Sequence, residues 1–316
     1  MKGNLWGFGD ARALGAYIIV CIVWGSTYLA IRVGVSDLPP ALFAGIRFLA
    51  AGSILLLYAW ARKLKPPETW QDIKVSSVVG LFLLFGGNGL VVWGEQWVHS
   101  GLAALLIATV PLFMALLDTI IPGGRGISRM GWAGLLLGFA GVALLIGPGI
   151  KTGGNALLGM VGVVFASFLW ASGSVYSSRH VVKGSIVYNI AAQSLAGGVA
   201  LTLTGVFTGQ LSNFHPTPQG MGAMLYLIIF GSLAGYSAYI YMLKVLPPAK
   251  ASTYAYINPV VAVLLGAMVL SEPVTARTVL SAGIILGGVL LVQMSKVSVS
   301  PAKGALNKGA KSESTA

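Results

Sequence analysis

The chain has 316 residues, 56% of them hydrophobic and only 9% charged, against about 25% charged in an average soluble domain. With a mean hydropathy of +0.84 and 43 glycines, it has the composition of a polytopic membrane protein. The 20 Lys and Arg against 8 Asp and Glu fall in short loops between apolar runs, as cytoplasmic loops of membrane proteins do, which excludes a nucleic-acid partner.

Lys2 and Arg12 precede a first apolar run that is too long for a signal-peptide core and meets no convincing cleavage site, so it reads as a retained span. Runs long enough for a bilayer core of ~30 Å lie near 14–35, 41–61, 75–98, 100–121, 131–148, 156–179, 185–208, 220–243, 252–270 and 277–295. Most are separated by turn chemistry, such as Pro39-Pro40, Pro66-Pro67 and Pro247-Pro248. The third and fourth are separated only by W-V-H-S-G.

Taken in order, several spans carry polar groups at mid-depth. The first contains W-G-S-T-Y-L-A-I-R, with Trp24, Ser26, Thr27 and Tyr28, and the lone cysteine, Cys21, which excludes an internal disulfide. Arg47 lies in the second span, and Asn88, Trp93 and Glu95 in the third. Arg47 and Glu95 both belong to the outer third of the membrane, so they are expected to pair, or to act in ion coupling. Pro111 interrupts the fourth span, and Asp118 near its inner end lies within reach of Arg125 or Arg129. The sixth carries W-A-S-G-S-V-Y-S-S-R, with Trp170, Ser172 and Tyr176. The eighth holds Tyr236 and Tyr239, and the ninth Tyr254 and Asn258 just before Pro259. His99, His180 and His215 fall in junctions and loops.

Trp24 and Trp170 stand away from the interfaces where Trp normally collects. An indole N–H at such depth needs a partner, which hydroxyls or water supply. Together with Ser26, Thr27, Tyr28, Asn88, Trp93, Ser172, Tyr176, Tyr236, Tyr239, Tyr254 and Asn258, they propose an aromatic, uncharged central pocket. Pro111 and Pro259 each free a helical carbonyl and are expected to act as hinges or gates. With no Lys or Arg expected at the centre, phosphorylated solutes are disfavoured.

Trp24 and Trp170 are 146 residues apart, Pro111 and Pro259 are 148 apart, and the pairs Gly134–Gly138 and Gly283–Gly287 are 149 apart. Three collinear landmarks at nearly one offset argue for tandem halves, 1–150 and 151–296, followed by a disordered cytoplasmic tail, 297–316. Five spans per half is an odd number, so the halves are inverted. Ten spans put Arg62, Lys63, Lys65, Lys74, Arg125, Arg129, Arg179 and Lys183 on the side of both termini, but only Arg32, Lys151 and Arg277 on the other. The termini are therefore expected in the cytoplasm.

W-G-S-T-Y-L-A-I-R, A-G-I-R-F-L-A-A-G in the second span, S-G-L-A-A-L-L-I-A-T-V-P-L-F in the fourth and S-E-P-V-T-A-R-T-V-L-S-A-G-I-I-L-G-G-V-L-L-V at the end resemble the EamA family of the drug/metabolite transporter (DMT) superfamily. The resemblance implies an all-α integral membrane protein of ten transmembrane helices, built as two inverted five-helix repeats around a central cavity. It also implies an exporter of amino acids or other small metabolites in a bacterial inner membrane. The first half departs from the pattern, having P-G-G-R-G-I-S where the second half supplies Glu272.

The expected function is export of small neutral or zwitterionic metabolites by alternating access. The alternatives are proton-coupled efflux of other amphipathic metabolites or drugs, a channel, or an intramembrane enzyme. No H-E-x-x-H, G-x-S-x-G or P-loop signature is present, and no catalytic residue, metal or cofactor is expected. The partners are a small-molecule substrate and the lipid bilayer. A monomer is expected, with a dimer through Gly134, Gly138, Gly283 and Gly287 as the alternative.

Overall fold

A computed structural model describes residues 11–122, 127–146, 155–245 and 254–294. Among the described residues there is no strand, and ten apolar helices carry the fold. Eight are long enough to cross a membrane: α1 (Ala11–Asp37), α2 (Pro40–Ala61), α3 (Trp70–Gly94), α4 (Ser100–Ile120), α5 (Arg129–Ile146), α6 (Ala156–Arg179), α7 (Ile186–Phe207) and α8 (Pro218–Met242). Two are shorter, α9 (Tyr254–Leu270) and α10 (Ala276–Val292). The expected tail 297–316, both extreme termini, Lys151 and Arg125 lie outside the described residues.

Helix starts follow local chemistry. Pro40 opens α2 and Pro218 opens α8, where a missing N–H costs nothing. α3 begins five residues earlier than its apolar run, because Thr69 and Asp72 form a capping box: Asp72 N–H donates to Thr69 Oγ1 at 3.2 Å and Thr69 N–H to Asp72 Oδ2 at 2.9 Å. The third helix then ends at Gly94, and the chain turns through Glu95 to His99 before α4 begins at Ser100.

Four helices are not regular α-helix throughout. π-helical turns occupy Val20–Trp24 in α1, Leu81–Asn88 in α3 and Leu227–Tyr236 in α8. α4 breaks between Ile107 and Val110, and Pro111 sits in the first turn of its second segment. Pro259, by contrast, is carried inside a continuous α9.

The halves are tied at both ends of the bundle. At one end Asp72 Oδ1 accepts from Lys183 N–H at 3.0 Å, and Asp118 pairs with Arg179 at 3.1 Å. Asp118 thus finds a cation on α6 at Arg179, which also donates to Pro122 O and is held there, while the expected partner Arg125 lies outside the described residues. Lys65 and Lys183 flank Glu68 and hold its carboxyl below the usual carboxylate range. At the other end Asp37 accepts from Thr217, and Gln210 accepts from Ala41 N–H at 3.0 Å.

The glycine motifs part company. Gly134 on α5 faces the backbone of α10 at Gly288 and Val292, and Gly138 backs onto Gly288 while an added Cβ there would meet Leu112 of α4, whereas Gly283 and Gly287 face open space. The equal spacing of the two pairs does not give them equal packing, since the contact face of α10 runs through Gly288, Ile285 and Val289.

Candidate functional site

The site is a cavity at mid-height of α1. Its walls come from α1 (Trp24, Thr27, Tyr28, Ile31), α2 (Arg47, Phe48) and α3 (Leu84, Gly87, Asn88, Val91). Ile107, Val110, Trp170, Gly231, Tyr236 and Tyr254 complete them from α4, α6, α8 and α9. Both halves contribute, while α5, α7 and α10 stand outside. The regular helix fails where it borders this space: all three π-helical turns and the break in α4 supply lining residues. Such irregular backbone is tolerated in a membrane only where protein or a wet cavity satisfies the freed groups.

Some of those groups are satisfied in a visible way. Trp24 Nε1 donates to Gly231 O at 3.2 Å, joining the π turns of α1 and α8. Leu106 O, just before the break in α4, accepts from Thr109 Oγ1 at 2.6 Å and from Ser167 Oγ at 3.2 Å.

One end of the cavity is closed by a cluster of rings. Trp24 lies 5.7 Å from Trp170 edge-on, 4.9 Å from Tyr239 and 5.4 Å from Tyr254, and Tyr239 lies 5.6 Å from Tyr254. These are spacings at which aromatic pairs attract. Tyr236 donates its hydroxyl to Gln193, which itself donates to Asn189 at 2.8 Å.

Toward the other end, Ile31 lines the cavity and its neighbour Arg32 lines a separate vestibule. Arg32 donates to the main-chain oxygen of Glu95 and so closes the partition between them. The vestibule is also lined by Gln96, Trp97, His99, Gln219 and Glu272.

Glu272 has a structural task there. It accepts from Ser100 N–H at 2.9 Å, Ser100 Oγ at 2.9 Å and Gly101 N–H at 3.2 Å, so a second-half carboxylate caps the first-half helix α4. The approach needs Gly266, where an added Cβ would stand 2.4 Å from Glu272 Oε2. Glu272→Ala is expected to lower stability by about 1–2 kcal/mol through the orphaned amides, read as a reduced melting temperature of the detergent-solubilised chain. An unchanged melting temperature would remove this capping role.

Of the residues expected in the pocket, the structure brings together Trp24, Thr27, Tyr28, Asn88, Trp170, Tyr236 and Tyr254. Tyr239 lies behind them in the ring cluster, and Asn258 is turned to the backbone of α1 and α9, its amide donating to Cys21 O and Tyr254 O. Four do not reach the cavity. Ser26 bonds Tyr226 at 2.6 Å, Trp93 packs on Trp97, Ser172 bonds back to Phe168 O at 2.8 Å, and Tyr176 stacks on His180. Ser26, Trp93 and Ser172 each lie two residues from a lining position (Trp24, Val91, Trp170), which on a helix points them away.

Arg47 and Glu95 do not pair. Arg47 Nε instead donates to Ser232 Oγ on α8 at 2.9 Å, and both Glu95 carboxylate oxygens are buried without a hydrogen bond. The expectation of an uncharged cavity is therefore corrected, because Arg47 lines it. Sequence reasoning missed this, and the reach to Ser232, 185 residues away, was not visible in local pattern. Among the described residues no three His, Cys, Asp or Glu side chains gather as a metal site.

A family profile described as the EamA-like transporter family matches residues 12–147 and again 157–294. The chain is 38% identical over 283 residues to the uncharacterized inner membrane transporter YedA of Escherichia coli (strain K12), spanning 89% of this chain and 90% of that protein. It is 27% identical over 277 residues to the uncharacterized transporter YvbV of Bacillus subtilis (strain 168), with 87% of each chain covered. A solved crystal structure with 19% sequence identity superposes with a TM-score of 0.63 over 89% of this chain and 96% of that one, a likeness of fold.

Proposed function

Because the chain belongs to the EamA-like transporter family, we propose that it is a bacterial inner-membrane exporter of small zwitterionic or neutral metabolites of amino-acid size, working by alternating access. The observation that carries this reading is a mid-height cavity walled by both halves, with a broken or π-helical segment at four of its walls. The ring cluster on one side and the Arg32–Glu95 contact on the other act as the two gates, with Pro111 and Pro259 as their hinges. Export from a cytoplasm that holds both termini rests on the distribution of Lys and Arg.

Counterflow in proteoliposomes loaded with neutral amino acids tests it. Saturable exchange above empty vesicles is expected. Flux that never saturates would indicate a channel, and flux equal to empty vesicles would sink the amino-acid class.

A second reading, proton coupling, rests on Glu95. Its carboxyl is fully buried with neither oxygen bonded, and it adjoins the partition to the vestibule. An imposed pH gradient then drives uphill flux in the wild type and not in Glu95→Gln. A gradient without effect removes this version and leaves the exchanger.

A further inference from the structure

We propose that the central cavity selects solutes bearing a carboxylate, and that Arg47 is the residue that reads it. The inference rests on the cavity assigned above as the transport site and goes beyond it by naming the group recognised.

Arg47 is only 3% exposed, yet it lines the cavity. Its Nε is fixed on Ser232 Oγ at 2.9 Å, and its guanidinium carbon lies 4.7 Å from the Phe48 ring centre. Nη1 is buried and has no partner. Among the described residues no Asp or Glu lines the cavity, and Arg47 bonds Ser232 in place of the expected Glu95. A guanidinium taken out of water with an unused donor is costly unless an anion meets it. The described residues supply none there, so the occupant is the natural counter-ion.

Two other lining groups are also left open: Asn88 Oδ1 and Trp170 Nε1 are buried without partners. Gly231 brings the guanidinium and the rings together. An added Cβ there would fall 2.9 Å from Arg47 Nη2, and the same residue's carbonyl receives the Trp24 indole. An anion on Arg47 would therefore lie beside an aromatic wall that takes an apolar body, and Asn88 can accept from an ammonium or hydroxyl.

The group is a carboxylate, not a phosphate. Among the described residues one guanidinium and no Lys or His lines the cavity, so a dianion would bring a second charge into an aromatic and aliphatic space. A carboxylate is neutralised by one Arg and matches its fork.

The test is ligand-induced thermal stabilisation of the full chain in detergent, using phenylalanine, 3-phenylpropionate, phenylalaninamide and phenyl phosphate. Ligand that binds only the folded state raises its melting temperature. The two carboxylates are expected to stabilise, with at least tenfold weaker binding for the amide and the phosphate. Arg47→Gln is expected to abolish the preference for acid over amide, and Ser232→Ala, which keeps the charge but frees its anchor, to reduce it.

Equal binding of acid and amide, tighter binding of the phosphate, or no stabilisation by either carboxylate overturns the proposal. A lower ligand-free melting temperature in Arg47→Gln with the acid preference retained makes Arg47 structural and also overturns it. If Arg47→Gln does not fold, Ser232→Ala decides alone, an unchanged preference counting against. Acid-selective binding without counterflow keeps the inference and sinks the amino-acid exchange reading, whereas counterflow without acid selectivity does the reverse.

Discussion

Trp170→Ala is expected to lower counterflow at least tenfold while the protein remains folded. Trp170 closes one side of the cavity through ring contacts to Trp24 and Tyr239, at 5.7 and 6.0 Å, and its Nε1 is an unused donor beside that space. Removing it both opens the floor and deletes a contact surface for solute. A tenfold loss corresponds to only about 1.4 kcal/mol, within what two aromatic pairs of ~0.5–1.5 kcal/mol each can supply. The structural cost is moderate, because the side chain is half-buried and Trp24 remains anchored on Gly231 O. Trp93→Ala is the control: an equally large truncation on α3, outside the cavity, should leave flux near wild type. Counterflow with monodisperse, helical protein checks both, and equal effects of the two substitutions would place the pathway elsewhere.

That contrast also marks how far the sequence could be read. Span number follows from run length and loop prolines, which the bilayer imposes on any chain, the tandem halves from landmarks at nearly one offset, and their inversion from the odd number of helices per half. The cavity face of α1 was within reach as well, since Trp24, Thr27, Tyr28 and Ile31 recur at helical spacing. Ser26, Trp93 and Ser172 were drawn in by their company although the same spacing turns them away. Other features were out of reach for a physical reason. A π-helical turn shifts the helical phase by a residue without a composition signal of its own. The destinations of Arg47 and Glu272 depend on partners 185 and 172 residues distant, Ser232 and Ser100. The sequence repeat is imperfect at one functional point: Glu272 caps α4, and the first half has no acid at the matching position.

The largest loss of stability is expected from Gly288→Val. An added Cβ at Gly288 would stand 2.4 Å from Gly138 N, 2.6 Å from Gly138 Cα and 2.7 Å from Gly134 O. Backbone atoms cannot rotate aside as a side chain can, so α5 and α10 must separate along their contact. In a membrane no hydrophobic effect drives them back together, and close approach of small residues carries the association. Overpacking of this kind costs about 3 kcal/mol, partly offset by the better helix propensity of Val over Gly. Gly283→Val makes the same chemical change on the same helix where nothing lies within 4 Å, so it should be neutral or slightly stabilising. Melting of the two variants in detergent separates position from composition, and equal destabilisation would refute the α5–α10 contact. The pair also bears on a dimer. Gly134 is covered by α10, and Gly138 by Gly288 and by Leu112 of α4, so neither can meet a second copy, and of the four glycines only Gly283 and Gly287 keep an open face for one. A Gly283→Val chain that changes its oligomeric state without losing stability would point to that face.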